Sequence, residues 1–356
     1  MAGILNKKNQ VAHIIYADTY LHIIYAKAIE RYFLPNEKTI IIWSGNDRVE
    51  EKFPLIFENL KAEFIKVKDP AKSSFLNIKK SYLEIYEKIK HLRKYSCKII
   101  TCYDTAYTFE IVRHILRLGW NRVAILDDGI VNYIENVGMP HVSKRLVKNI
   151  INKSLGRFPI NTSRYNLGGN RKIRTFFTMS PENIFIKDPS EKKIYNISNA
   201  VKNILEDGKF DFSNLDFKSI DAVISLAPIY TYQRNNKKEL IEFLKGTINL
   251  YNLSHPLIKV HPRDFSTCIV KDINESFSDT VAISPDVPTE FLFEHLGPVK
   301  WFGSPSSAYL NRHFLYPNYK DQFLVSTFGT SKQFKEGQMS CLSKILSEKL
   351  LKSEVN

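Results

Sequence analysis

Arg122-Val123-Ala124-Ile125-Leu126-Asp127-Asp128-Gly129 is the stretch on which the reading of this chain turns. Val123 to Leu126 is a short apolar run of the kind that forms a buried strand, and two adjacent carboxylates and a glycine follow at once. In an open α/β sheet, ligands bind in the crevice beyond the carboxyl ends of the strands. A carboxylate pair at that edge is placed for proton chemistry. The same tripeptide also reads as a plain turn, with glycine at positive φ and the aspartates capping the next segment. The rest of the chain weighs between the two.

Upstream, strand-like runs at Val11–Tyr16, Thr39–Trp43 and Lys98–Cys102 alternate with helical spacing over Leu21–Phe33, Ile78–Tyr95 and Tyr107–Leu118. Asp207–Lys218 carries little hydrophobic period, and a second series follows it. Its strands are expected at Asp221–Leu226, Leu257–Val260, Ala282–Ile283, Val299–Phe302 and Gln322–Ser326, its helices at Lys237–Leu250, Thr289–Leu296 and Ala308–Phe314. This alternation predicts an α/β chain with two parallel sheets. The domains are expected at residues 1–206 and 219–336, Rossmann-like halves facing a central cleft, with 337–356 a terminal helix crossing between them.

Composition narrows the class. Of 356 residues, 44% are hydrophobic, enough to fill two cores and to exclude a disordered chain. Lys and Arg number 51 against 37 Asp and Glu, a formal charge of +14 that calls for an anionic partner. Charge alone, without a nucleic-acid-binding motif, does not make that partner nucleic acid. The basic stretch His141–Gly156, with Lys144, Arg145 and Lys148, reads either as a solvated helix face or as a surface for an acidic acceptor or an anionic membrane. The four cysteines have no metal-ligand spacing, and Cys97 and Cys102 fit buried free thiols in a reducing cytosol. The first residues lack a hydrophobic signal core, and no apolar run approaches the ~20 residues of a membrane span. The expected location is cytoplasmic, either soluble or peripheral on the inner face of the membrane.

The second half repeats the strand-then-polar-residue pattern. Leu257 to Val260 leads into His261-Pro262, and the proline restricts the backbone that carries the imidazole. His255-Pro256 precedes the strand, so it belongs at the opposite edge and is set aside. Gly303-Ser304-Pro305-Ser306-Ser307 lies between a strand and a helix, where hydroxyls and backbone N–H groups favour an anion or simply cap the helix. Glu290, in the first turn of its helix, suits either ribose hydroxyls or the helix dipole. No glycine-rich phosphate loop, Walker motif or triad signature is present.

Asp127-Asp128-Gly129, His261-Pro262 and Ser306-Ser307, in this order across two halves, resemble the motifs of bacterial sialyltransferases, the lipooligosaccharide and capsular polysialyltransferase group. The resemblance implies a GT-B fold and an inverting, metal-independent transfer from CMP-sialic acid, without a cofactor, to a cell-surface glycan. It also implies roles. Asp127 would be the general base, Asp128 and Gly129 would shape the turn, and His261 would bind and protonate the departing CMP phosphate. Ser306 and Ser307 would hold the phosphate oxygens, with Ser304 and Pro262 beside them on the donor side, and Glu290 would take the ribose. The family often carries a glutamine in the turn that opens its second domain, where this chain has Ser225-Leu226-Ala227-Pro228. Two other readings stay open: transfer of another CMP-activated acid sugar such as Kdo, and a non-catalytic two-domain binder of an anionic sugar or nucleotide.

Overall fold

The computed structural model describes residues 10–45, 57–58, 60–68, 77–102, 107–133, 170–186, 189–208, 212, 215–226, 237–264, 268–285, 287–303, 306–325, 332–347 and 349–351. The basic stretch with Lys144, Arg145 and Lys148 lies outside the described residues, as do Ser304 and Pro305. The chain forms two compact units, Met1–Gly208 and Lys209–Asn356.

The first unit is a seven-stranded parallel sheet. Its strands are β1 (Val11–Ala17), β2 (Lys38–Trp43), β3 (Glu63–Lys66), β4 (Ser96–Thr101), β5 (Val123–Leu126), β6 (Thr175–Thr178) and β7 (Lys193–Asn196), in the order β3-β2-β1-β4-β5-β6-β7. Among the described residues four helices accompany them: α1 (Tyr20–Tyr32), α2 (Asn77–Ile89), α3 (Tyr107–Ile115) and α4 (Ser198–Asp207). Strands buried on both faces read as near-continuous apolar runs, which is why β1, β2, β4 and β5 were legible. The core under one face is built from Ile14, Ile40, Ile42, Ile99 and Ile125 with Ile85, Ile89, Val112 and Ile115 from α2 and α3. α1 packs on α4. Cys97 and Cys102 are buried free thiols.

The second unit is a six-stranded parallel sheet in the order β10-β9-β8-β11-β12-β13. Its strands are β8 (Ala222–Ser225), β9 (Pro256–Lys259), β10 (Val281–Ile283), β11 (Lys300–Gly303), β12 (Gln322–Val325) and β13 (Leu350–Leu351). Among the described residues its helices are α5 (Lys237–Tyr251), α6 (Ile269–Ser276), α7 (Ser307–Leu315) and α8 (Lys332–Ile345). Two expectations change here. The terminal helix ends at Ile345, and Leu350–Leu351 pairs beside β12, so the chain closes the sheet edge. Thr289–Leu292 is a single 3₁₀ turn and not a helix through Leu296, and Glu290, Phe291, Leu292 and Phe293 are all buried.

Both sheets have a point where the strand order reverses: between β1 and β4 in the first, between β8 and β11 in the second. Gly303 makes the second one close. Its φ is +125°, and a Cβ there would meet the Ser225 carbonyl oxygen at 2.0 Å. Gly303→Ala is expected to cost roughly 2–4 kcal/mol through backbone strain and overlap together. A urea titration checks this as a lowered midpoint at unchanged slope.

Candidate functional site

In the first unit the residues of interest gather at the carboxyl ends of β1, β4 and β5, at the reversal of strand order. The β5 chain runs on into Asp127, whose N–H still pairs with the Phe177 carbonyl at 2.9 Å. Its carboxylate is completely buried. Oδ1 accepts from Gly129 N at 2.7 Å. Oδ2 accepts from Met179 N at 2.8 Å and Thr178 Oγ1 at 3.0 Å, and also from the Tyr133 hydroxyl. Three of the four donors converge on Oδ2 and one on Oδ1. Burial raises the Asp127 pKa and the donors pull it back, leaving it above the ordinary carboxylate value. Burial and the Asp127 charge keep the Tyr133 hydroxyl protonated, hence a donor.

Asp128 differs in each respect. The chain turns at Gly129, where φ is +68°, and Asp128 N donates to Asn132 Oδ1 at 2.7 Å. Its side chain keeps 15% of its surface exposed, and Oδ1 lies 3.5 Å from His22 Nε2. His22 sits in the first turn of α1, which Thr19 caps by accepting from His22 N at 3.3 Å. The other ring nitrogen, Nδ1, lies 2.7 Å from Asp18 Oδ1. Burial disfavours a charge on this ring, but its hydrogen bonds to Asp128, Asp18 and the Cys102 sulfur favour one, and the His22 pKa is raised above that of free imidazole. Cys102 itself, raised to about 12 by burial, remains a thiol. His22 thus lies between the carboxylates of Asp18 and Asp128, and Asp18 N donates to its Nδ1 at 3.4 Å. Among the described residues no three His, Cys, Asp or Glu side chains are grouped as metal ligands.

Asp127, the expected base, has no exposed surface, and its donors join the ends of β5 and β6. Asp128, expected to shape the turn on the donor-binding side, is the carboxylate of the pair that reaches solvent. His22 and Asp18 were missed. The signal that could have found them is Ala17-Asp18-Thr19, a polar residue at a strand end as in Leu126-Asp127-Asp128.

In the second unit, His261 follows β9 and is half-buried. Its carbonyl accepts from Asp264 N at 2.9 Å in the 3₁₀ turn that Pro262 opens. His255 stands exposed before β9, with its N–H on Asp221 Oδ1 at 3.2 Å, at the opposite edge as expected. Ser306 caps α7, its Oγ accepting from Ala308 N at 3.2 Å, and Ser307 opens the helix; both are partly exposed. β9 and β11 flank β8, so their ends stand about 10 Å apart, two strand spacings. His261 and the serine pair therefore border the end of β8 from its two sides. Glu290 is 4% exposed, and its Oε1 accepts from Asn311 Nδ2 of α7 at 2.9 Å. Lys259, also unforeseen, is buried at the end of β9, with its ammonium on the carbonyls of Val260 and Ser284.

No family model and no curated protein matches the chain. Solved structures do. The GT-B domain of a sialyltransferase from Photobacterium damselae is 16% identical with a TM-score of 0.51, over 96% of this chain and 99% of that one. The UDP-GlcNAc 2-epimerase of Methanocaldococcus jannaschii is 13% identical with a TM-score of 0.53, over 98% and 89%. The S. aureus MnaA–UDP co-structure is 10% identical with a TM-score of 0.57, over 96% and 83%. At these identities the likeness is one of fold. The chain has the GT-B fold, two Rossmann-like domains, shared with a glycosyltransferase and with sugar epimerases. Among the described residues no helix is long and apolar enough to cross a membrane.

The raised His22 pKa gives a signed expectation. The proton held by the fold stabilises it fully below the unfolded value of ~6.5, and this contribution is lost as pH rises through the higher folded value. The stability of the wild type relative to His22→Gln should therefore fall as pH rises above neutrality. Denaturant midpoints of both proteins across that range check the sign.

Proposed function

We propose that the chain is an inverting glycosyltransferase that moves sialic acid, or a related CMP-activated acid sugar, to a glycan acceptor without a metal ion. The observation that carries this reading is the division within the carboxylate pair: Asp127 is sealed among four donors, whereas Asp128 reaches solvent 3.5 Å from His22 Nε2. A sugar hydroxyl is a poor nucleophile and needs a positioned base. A protein that only bound anions would gain nothing from an exposed carboxylate at its site.

In this mechanism Asp128 Oδ2 takes the acceptor's proton as the hydroxyl oxygen bonds to the anomeric carbon. The bond from that carbon to the phosphate oxygen breaks, and its electron pair leaves with CMP. His22 holds Asp128 through Oδ1, ionised and aimed. His261 with the Ser306 and Ser307 groups at the start of α7 would stabilise the phosphate, charge developing there being met by preset donors. Glu290 would take the ribose, and Gly129 and Pro262 set the two turns. A bacterial glycan such as lipooligosaccharide or capsule fits the acceptor, and the basic stretch with Lys144, Arg145 and Lys148 would meet it or an anionic membrane. The UDP-sugar epimerase fold neighbours supply the competing reading, a uridine nucleotide in the same second-unit site.

The test is transfer from CMP-sialic acid and CMP-Kdo, measured beside CMP affinity and unfolding. Asp128→Asn should lower turnover about 10²–10⁴-fold, the usual worth of a general base, with CMP affinity and stability near wild type. Asp127→Ala strands four buried donors and should cost stability by about 3 kcal/mol or more. His261→Ala should weaken CMP binding and turnover together, and His255→Ala neither. Wild-type turnover in Asp128→Asn would remove the assignment of the base.

A further inference from the structure

A second basic site lies at the other edge of the first sheet, where β4 and β5 begin. A cavity of about 350 Å³ is lined there by Tyr82, Arg93, Arg113, His114, Arg117 and Leu118. Three guanidinium groups thus share one pocket, and they are held in different ways. Arg113 is committed: its Nε and Nη2 donate to Glu110 Oε2 at 3.1 and 2.8 Å, and its Nη1 to the Leu118 carbonyl at 2.9 Å. Arg93 is fixed by its Nε on the Ile115 carbonyl at 2.7 Å and lies over the Tyr86 ring, 5.2 Å from its centre. Among the described residues no carboxylate pairs with Arg93 or Arg117. The pocket keeps a surplus of positive charge.

Arg117 occupies a costly position. α3 ends in a Schellman motif, with Leu118 N on the Arg113 carbonyl at 2.9 Å and Arg117 N on the His114 carbonyl at 3.0 Å. The residue between, Arg117, is left-handed with φ +56°. Glycine is the usual occupant there, since a side chain strains the backbone. The helix dipole alone does not call for this arginine, because Arg113 already supplies a cation to the last turn. Burial, followed by the charges of Arg113, Arg93 and Arg117, holds the His114 pKa below the ordinary imidazole value, as uncompensated positive charge would.

We infer that this pocket binds the phosphate of an organic phosphomonoester, with Arg93, Arg117 and His114 on the oxyanion and Tyr82 and Leu118 against the attached group. The volume exceeds that of a bare phosphate, and the two apolar walls suit a ligand with an organic part. A soluble sugar phosphate and the headgroup of a phosphatidate lipid both present this chemistry. The site is separate from Asp128 and from His261, at the opposite edge of the sheet from the one and in a different unit from the other.

Phenyl phosphate and inorganic pyrophosphate are titrated against the full chain while the His114 ring resonance is followed by NMR. Saturation should raise the His114 pKa, because a bound dianion offsets the arginine charges. The double variant Arg93→Gln, Arg117→Gly should lose the response, with affinity at least tenfold weaker. Arg117→Gly alone relieves the left-handed strain and should raise Tm by roughly 2–4 °C without ligand, so loss of binding is not loss of fold. Sedimentation with phosphatidylcholine vesicles, with and without phosphatidic acid, separates the two sources. Retention dependent on Arg93 and Arg117 assigns the lipid headgroup, and a solution response without retention assigns a soluble phosphate. An unmoved His114 resonance with both probes, or an equal response in the double variant, overturns the site.

Discussion

The first unit depends on the burial of one carboxylate. Asp127 ends a strand with no surface exposed, and it keeps its place only because four donors from both sides of the sheet edge converge on it. Unpaired, it would carry the heavy cost of a desolvated polar group. Paired, it ties β5 to Thr178 and Met179 at the end of β6, a chain distance of about fifty residues. The turn after it is then fixed, and Asp128 emerges at a set height against His22. The chemistry proposed for Asp128 rests on the constraint satisfied by its neighbour.

The second unit solves the matching problem with an ion pair. Arg312 of α7 is fully buried, its Nε on Asp321 Oδ2 at 2.9 Å and its Nη2 on the carbonyls of Leu296 and Gly297 at 3.1 and 2.8 Å. Asp321 in turn accepts from Val299 N at 3.0 Å, just ahead of β11. Breaking such a pair by removing one partner leaves an uncompensated buried charge, which is why it behaves as a fixed joint. It sets the direction of α7, and with it Ser306 and Ser307. Gly303 lets the preceding strand close on Ser225. Both halves thus place their polar groups by burying a charge behind them.

Much of this architecture was legible because fully buried parallel strands are apolar throughout. Val123–Leu126 and Leu257–Val260 announce themselves, and the residues after them fall at the carboxyl edge by geometry alone. β3 and β7 were not legible: Glu63–Lys66 and Lys193–Asn196 are short, half-exposed edge strands without an apolar run. The likeness between Asp127 and Asp128 also hid their difference. Side-chain direction after a strand is decided by tertiary partners such as Tyr133 and Met179, which no local pattern reveals. His22 is one polar residue in a helix, and Arg93 and Arg117 are charges among many, until the fold brings their neighbours together.

The most direct measurement of the central claim is the nucleotide selectivity of the full chain. Thermal unfolding is followed against CMP, UMP, UDP, GMP and ADP, each with and without EDTA. A ligand that binds the native state alone must raise Tm by mass action. The account predicts a saturable rise with CMP that EDTA leaves unchanged and that the other nucleotides do not match. A preference for uridine nucleotides, or a rise with CMP that EDTA abolishes, would contradict it.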